Sequence, residues 1–362
     1  MNKSFFIIFA LFTQLFANEM TGQCTKKMPK EGFLPNTRQC FRNCSSGCWG
    51  GIFNATIIVW QAKEDDLEYT SSNLLFDTRG LNLNATNKFP KNKFRAGFKV
   101  GIGFITPIND IDLYANYTYY HTNNKTNVSA PTSADGFGLI PLWRHPVAVT
   151  TELRYRNASS KWTLDFNTLD LELGYSMMAS CYIDLRFHAG LKAININQEY
   201  GAIYENGQII QGIEPIIGDV HLKNDGRGIG PRIGLQSKWR ITRNFHIYSS
   251  GAAGTTLNEF DIRRNELDIA INTATSDQII TDINFTEKPW LWKPFAETIM
   301  GLGWHCCYRY FSFSADLSYE IQYFYEQNLF RRFTDAYNES LNVPSKGDLM
   351  LHGVNFQFRF DF

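Results

Sequence analysis

Val354-Asn355-Phe356-Gln357-Phe358-Arg359-Phe360-Asp361-Phe362 is apolar at every even position and polar at every odd one. Strict alternation gives a strand one greasy and one wet face. The pattern recurs in Phe94, Ala96, Phe98, Val100, Ile102 and Phe104, then in Ile183, Leu185, Phe187, Ala189 and Leu191. It returns in Ile229, Ile233, Leu235 and Trp239, and in Phe311, Phe313, Ala315, Leu317, Tyr319, Ile321 and Tyr323. Opposite these stand Arg95 and Lys99; Asp184, Arg186, His188 and Lys192; Arg232, Gln236 and Lys238; Ser312, Asp316, Glu320 and Gln322. An open sheet with such a face aggregates unless lipid or another layer covers it. A closing strand with a terminal aromatic, here Phe362, is expected of an all-β, antiparallel transmembrane β-barrel.

The amino-terminal residues agree with export. Lys3 precedes the apolar run SFFIIFALFTQLFA, which ends at Ala17 and is followed by Asn18 and Glu19. A short positive region, an apolar stretch too short to span and a small residue describe a cleavable signal peptide, residues 1–17. Later segments fall short of the ~18 continuous apolar residues of a membrane helix. Aromatics make up 15% of the chain and charged residues 19%, and Lys+Arg balance Asp+Glu at 35 each. That balance argues against a nucleic-acid or polyanionic partner. A mean hydropathy of -0.27 fits a barrel whose polar lumen and loops offset its lipid-facing residues.

The pattern predicts ten strands, at about 51–62, 93–105, 110–122, 161–175, 182–195, 227–240, 245–258, 290–304, 311–324 and 349–362. Connections alternate in length. Those at 106–109, 176–181, 241–244 and 305–310 are short, and those at 63–92, 123–160, 196–226, 259–289 and 325–348 are long. Short periplasmic turns and long extracellular loops are the habit of outer-membrane barrels. Trp292 and Trp304 fall on one face, and twelve residues at ~3.3 Å, tilted ~45°, rise roughly 28 Å, one aromatic near each interface. In Trp162 to Gly174 the apolar phase slips from Leu164 and Phe166 to Leu169, Leu171 and Leu173. A bulge near Thr168 or a turn between two shorter strands would produce that slip. Val147 to Tyr155 also alternates, so twelve strands is the alternative count.

Three stretches carry a resemblance: Phe53 to Tyr69 (FNATIIVWQAKEDDLEY), Trp162 to Gly174 (WTLDFNTLDLELG) and Gly228 to Trp239 (GIGPRIGLQSKW). From about Trp49 to Phe362 the chain resembles the Legionella-type major outer membrane protein family, which also occurs in amoeba-associated chlamydiae. The resemblance implies a pore-forming protein of the bacterial outer membrane and names no solute. It gives a barrel over 49–362, preceded by a cysteine-containing periplasmic segment, 18–48, that it does not cover.

The seven cysteines are Cys24, Cys40, Cys44, Cys48, Cys181, Cys306 and Cys307. The predicted topology puts all of them in the periplasm, an oxidising compartment. Internal disulfides are one expectation, and the odd count leaves at least one thiol over. Cross-links to cysteine-rich periplasmic or envelope proteins are the other, as the chlamydial side of the resemblance suggests. Cys40, Cys44 and Cys48 could line one helix face as metal ligands, but zinc sites favour closer pairs and no His is near, so no metal or cofactor is expected.

Pore-lining candidates, read from the wet faces, are Arg95, Lys99, Asp112, Asp184, Arg186, Lys192, Arg232, Lys238, Glu297, Asp316, Glu320 and Arg359, with Asp361 beside them. A protease reading needs acidic and Asp/His pairs together at the extracellular rim. Asp219-Val220-His221 lies in a predicted outer loop, whereas Asp110-Ile111-Asp112 lies at a periplasmic turn. His-Glu-x-x-His, Gly-x-Ser-x-Gly and phosphate-loop motifs are missing from the sequence, so no enzyme is expected. The expected function is passive diffusion of small solutes or ions; the alternative is a non-conducting structural or adhesive barrel in a disulfide-cross-linked envelope. Small barrels are filled by side chains, which makes that alternative a serious one. Partners are outer-membrane lipid and the barrel-insertion machinery, for which Phe362 is the candidate assembly signal.

Overall fold

The computed structural model describes residues 50–72, 86–106, 111–130, 138–145, 154–180, 182–207, 209, 212–242, 244–307, 311–333 and 342–362. Cys24, Cys40, Cys44, Cys48 and Cys181, the signal peptide and the 18–48 segment lie outside the described residues, as do Asp110 and Val147. Ten antiparallel strands close a ring: β1 (Gly50–Glu64), β2 (Phe94–Ile105), β3 (Ile111–Ser129), β4 (Tyr155–Ser180), β5 (Ile183–Gly207), β6 (Ile213–Arg240), β7 (Phe245–Asn272), β8 (Trp290–Cys307), β9 (Ser312–Phe324) and β10 (Leu349–Asp361). Strand β10 pairs back onto β1, so the ring has ten members and not twelve.

The register fixes the barrel's shape. Pairing runs Ile52, Gly103, Tyr114, Glu172, Gly190, Arg232, Gly254, Phe295, Phe324, Leu349 and returns to β1 at Glu64, twelve residues above its start. Ten strands with that stagger tilt by roughly 40° and enclose a backbone radius of about 10 Å, a bore that side chains can fill. Tight coiling brings backbones close at a few points. A Cβ at Gly190 would run into the carbonyl of Leu171, and one at Gly230 into that of Thr255.

Strand positions agree with the sequence at both ends of β1, β2, β9 and β10, whereas β3 to β7 run past their expected outer ends and β4 also past its lower one, to Ser180. Strands β4 to β7 run 26, 25, 28 and 28 residues, where ~9–11 suffice to cross a bilayer. Most of the expected loops 196–226 and 259–289 is therefore wall, as are the two ends of 123–160, at 123–129 and 155–160. Gln278–Glu287 also belongs to it, pairing with β7 above β8 in unbroken register.

This height explains the phase slip in β4. Even positions from Trp162 to Gly174 point inward throughout, and neither neighbour shifts register at Thr168; the irregularity with β5 lies between Met178 and Ser180. What changes is the surroundings. Leu169, Leu171 and Leu173 face outward and are exposed, at membrane height, over inward Asp170 and Glu172. Higher up, Trp162, Leu164 and Phe166 face inward and are fully buried. The strand is inside-out in lipid and right-side-out in water. The expected bulge or turn at Thr168 is thus corrected to a straight strand crossing from one solvent to another.

The lipid belt closes around the ring as read from the alternation. Phe53, Phe98, Ile102, Leu171, Phe187, Ile233, Leu302, Leu317 and Phe358 are all exposed on the outer wall. Trp304 and Trp292 mark its lower and upper margins on β8. Above Glu64 the strands β1, β2, β9 and β10 have ended while β3 to β7 continue. The upper wall is therefore a trough, and connecting segments fold into it. Leu67, Tyr69, Leu139, Trp143 and Phe330 join Trp60, Trp162, Tyr200, Tyr204 and Val220 in one apolar core, each 2% exposed or less.

Candidate functional site: a charged lumen under an apolar roof

At membrane height the inward positions hold two ion-pair clusters. In the larger, Lys192 is enclosed between Asp170 at 2.8 Å and Glu297 at 2.7 Å. Arg232 donates to Glu297 at 2.8 Å and also to Glu172. Arg186 reaches Glu172 at 3.1 Å and Asp112 at 2.6 Å, with His188 3.5 Å from Glu172. Three cations thus serve four carboxylates. In the smaller cluster the Lys99 ammonium donates to both oxygens of Glu320, at 2.6 and 2.7 Å, and lies 4.8 Å from the Trp60 ring centre. Glu320 also accepts from Gln322 and Asn355, and Asn355 accepts the Trp60 indole N–H at 2.7 Å.

Nearer the periplasm Arg240 pairs with Asp184, His246 lies 3.3 Å from Asp316, and Arg359 donates to Asp361 at 2.7 Å. Lys238 faces the same space with no carboxylate within 4.0 Å among the described residues. Most of the sequence-read lumen candidates are therefore inward, but as paired groups that fill the bore. Lys238 is inward without such a partner, and Arg95 is exposed near the upper end of β2. Asp170 and Glu172 were missed because they sit in the segment whose apolar phase changes. Arg240, His246, Trp60 and Asn355 were missed because alternation marks a face and not its partners.

Over the clusters lies a layer of Trp60, Tyr120, Phe166, Phe295, Phe324 and Leu351, all buried. Above that layer the connecting segments form a roof held by hydrogen bonds to the wall. Tyr204 donates its hydroxyl to the Tyr69 carbonyl at 2.6 Å, and Tyr200 to that of Leu67 at 3.2 Å. Trp143 bonds the Glu68 carbonyl at 2.8 Å. Arg264 on β7 donates to the carbonyls of Trp143 and Arg331 and pairs with Glu266. The His145 amide donates to Glu266 at 2.7 Å, and Arg144 pairs with Asp268 at 2.7 Å while donating to the Tyr155 hydroxyl.

This part of β7, beyond Leu257, stands above the lipid belt. Burial lifts the Asp268 carboxyl to about 7 despite the pull of Arg144, and Glu266 beside it adds to the rise. Burial likewise pushes the Tyr155 phenol up to about 12. The wall and the roof are joined by charges taken out of water, a junction that is strong when complete and costly when one member is lost.

Asp219 and His221 face outward on β6, 3.0 Å apart. Asp112 lies in the lumen near the lower end of β3, bonded to Arg186. The two sites stand on opposite sides of the wall and at opposite ends of the barrel. Among the described residues no group of three or more His, Cys, Asp and Glu is arranged to hold a metal ion. Cys306, at the lower end of β8, forms no disulfide with another of the described residues.

Residues 43–362 match the family model described as Legionella pneumophila major outer membrane protein precursor. No curated protein matches the chain. Among solved structures it is similar to the outer membrane protease OmpT of Escherichia coli, at 11% identity and a TM-score of 0.36, over 86% of this chain and 96% of that one. It is also similar to the Pseudomonas putida toluene transporter TodX, at 10% identity and a TM-score of 0.31, over 86% and 89%. A Pseudomonas aeruginosa FadL homologue overlaps at 7% identity and a TM-score of 0.26, over 87% and 90%. At these TM-scores the likeness carries no statement about function.

Proposed function

This chain belongs to the family of the Legionella pneumophila major outer membrane protein, and on that premise we propose that it is a channel of the bacterial outer membrane for small polar solutes or ions, shut at its outer end by a roof that must move before anything passes. The observation that carries the reading is the concentration of ionisable side chains in the membrane-level bore, from Asp112 and Arg186 up to Lys192 and Glu297. A bore that needed only filling would be better served by apolar side chains, since buried ion pairs rarely outdo them for stability. Ionisable groups at membrane depth mark pathways by default.

The reading is transport and not catalysis, and diffusion would be passive once the roof lifts. The roof and the pairing of charges in both membrane-level clusters favour the second reading, a structural or adhesive barrel that never conducts. Ion selectivity separates the two. Lys192→Gln removes one of three cations from the larger cluster and should shift the reversal potential of refolded protein toward cations, because fixed charge sets the preferred sign. A conducting protein whose selectivity ignores this change carries its ions by another route, and the proposed path falls.

A further inference from the structure

We infer that the outer wall of β3 and β4 carries a binding site for the phosphorylated headgroup of an outer-leaflet glycolipid. The pairing sets Lys125 directly opposite Lys161, and both side chains point away from the lumen and are exposed. Like charges directly opposite each other weaken a strand pair. Among the described residues neither lysine has a carboxylate within 4.0 Å; Glu199 on β5 faces Thr163 and pairs instead with Lys223 at 3.5 Å. An anion between the two ammonium groups turns the repulsion into a bridge.

What lies below the lysines identifies the anion's carrier. The outward column of the same two strands descends through the His121–Asp165 pair at 2.6 Å to Tyr119, Tyr117, Leu169 and Leu171, all exposed in the lipid belt. Six residues separate Tyr119 from Lys125, which at ~3.3 Å and a tilt of roughly 40° is about 15 Å of height. Lysine stems lean down part of that distance and keep their charge in the polar layer. The column therefore offers an apolar surface for acyl chains and, a headgroup's height above, a pair of cations. A free phosphate has no use for the lower half.

The test is native mass spectrometry of the detergent-solubilised barrel with lipid A, dephosphorylated lipid A and inorganic phosphate as probes. Wild type should retain lipid A at least tenfold better than the Lys125→Ser/Lys161→Ser double variant and should bind the dephosphorylated form no better than that variant does. Lys288→Ser, at a lysine that pairs with Asp261 and stands off the column, should retain lipid A as wild type does. Without lipid, thermal unfolding of the double variant should occur at or above the wild-type temperature, since its repulsion is gone. Equal retention by wild type and double variant would overturn the proposal. So would wild-type binding of dephosphorylated lipid A as tight as that of lipid A, or millimolar phosphate displacing lipid A.

Discussion

Lys192 is wholly enclosed, and its charge is tolerable only because Asp170 and Glu297 flank it. The same holds for Lys99 against Glu320. Removing one partner of a buried pair costs about 3–5 kcal/mol, whereas replacing both by neutral groups costs far less. Lys99→Met should therefore lower the urea midpoint of tryptophan-monitored unfolding strongly, and adding Glu320→Gln should recover most of the loss. A double variant no more stable than the single one contradicts the pairing. In the roof, Asp268 faces Arg144 and Tyr155, with Glu266 and Arg264 beside it. Its folded pKa lies above its unfolded value, so the neutral form favours folding. That contribution is complete below pH ~4 and is lost as pH rises through about 7. Protection factors of the amides in 138–145, with the base-catalysed intrinsic rate divided out, should be higher at pH 5 than at pH 8, and Asp268→Asn should flatten the difference. Protection factors that are independent of pH in wild type would remove Asp268 from the latch. Alternation in the sequence exposes Lys99, Arg186, Lys192, Arg232, Glu297 and Glu320 but not Asp170 or Glu172, and which cation meets which carboxylate is set by the twelve-residue stagger, which no local pattern records.

At the scale of the strand, alternation locates the wall well where one side is lipid. The lower ends of β2, β5, β7 and β10 fall within a residue or two of their expected positions because lipid and lumen demand opposite side chains there. The upper halves of β4 to β6 alternate just as regularly, but with the apolar set turned inward, as in a soluble protein, while β7 turns Phe260 and Ile262 inward and then the charged Arg264, Glu266 and Asp268. A reading that asks only for a lipid face meets a change of phase at Thr168 in β4, for which it offers a bulge or a turn, and it takes the upper parts of β5, β6 and β7 for loop. Closure of the ring depends on β10 and β1. Phe362 exchanges backbone hydrogen bonds with Gly51 at 2.6 and 2.9 Å, and its ring covers the space where a Gly51 side chain would stand. Phe362→Ser should leave more protein in the periplasm and reduce the heat-modifiable form on gels. Unchanged membrane insertion would show that this aromatic is incidental to assembly.

Across the molecule, height organises function: paired charges at membrane level, an apolar layer over them, and a roof seated in the trough of β3 to β7. The topology itself is testable. A tag in the Thr273–Thr275 turn should be labelled on intact cells, and one at Asn244 only after the outer membrane is opened; the reverse pattern would invert the barrel. The account stands or falls on what closes the bore. Single-channel recording of the refolded barrel in planar bilayers, wild type against Arg264→Gln, tests this most directly, because Arg264 ties β7 to Trp143 and Arg331 in the roof. The account predicts a wild type that is closed at rest with rare openings, and a variant that opens far more often at the same unit conductance. A wild type that is steadily open, or a well-inserted variant as silent as wild type, would contradict it.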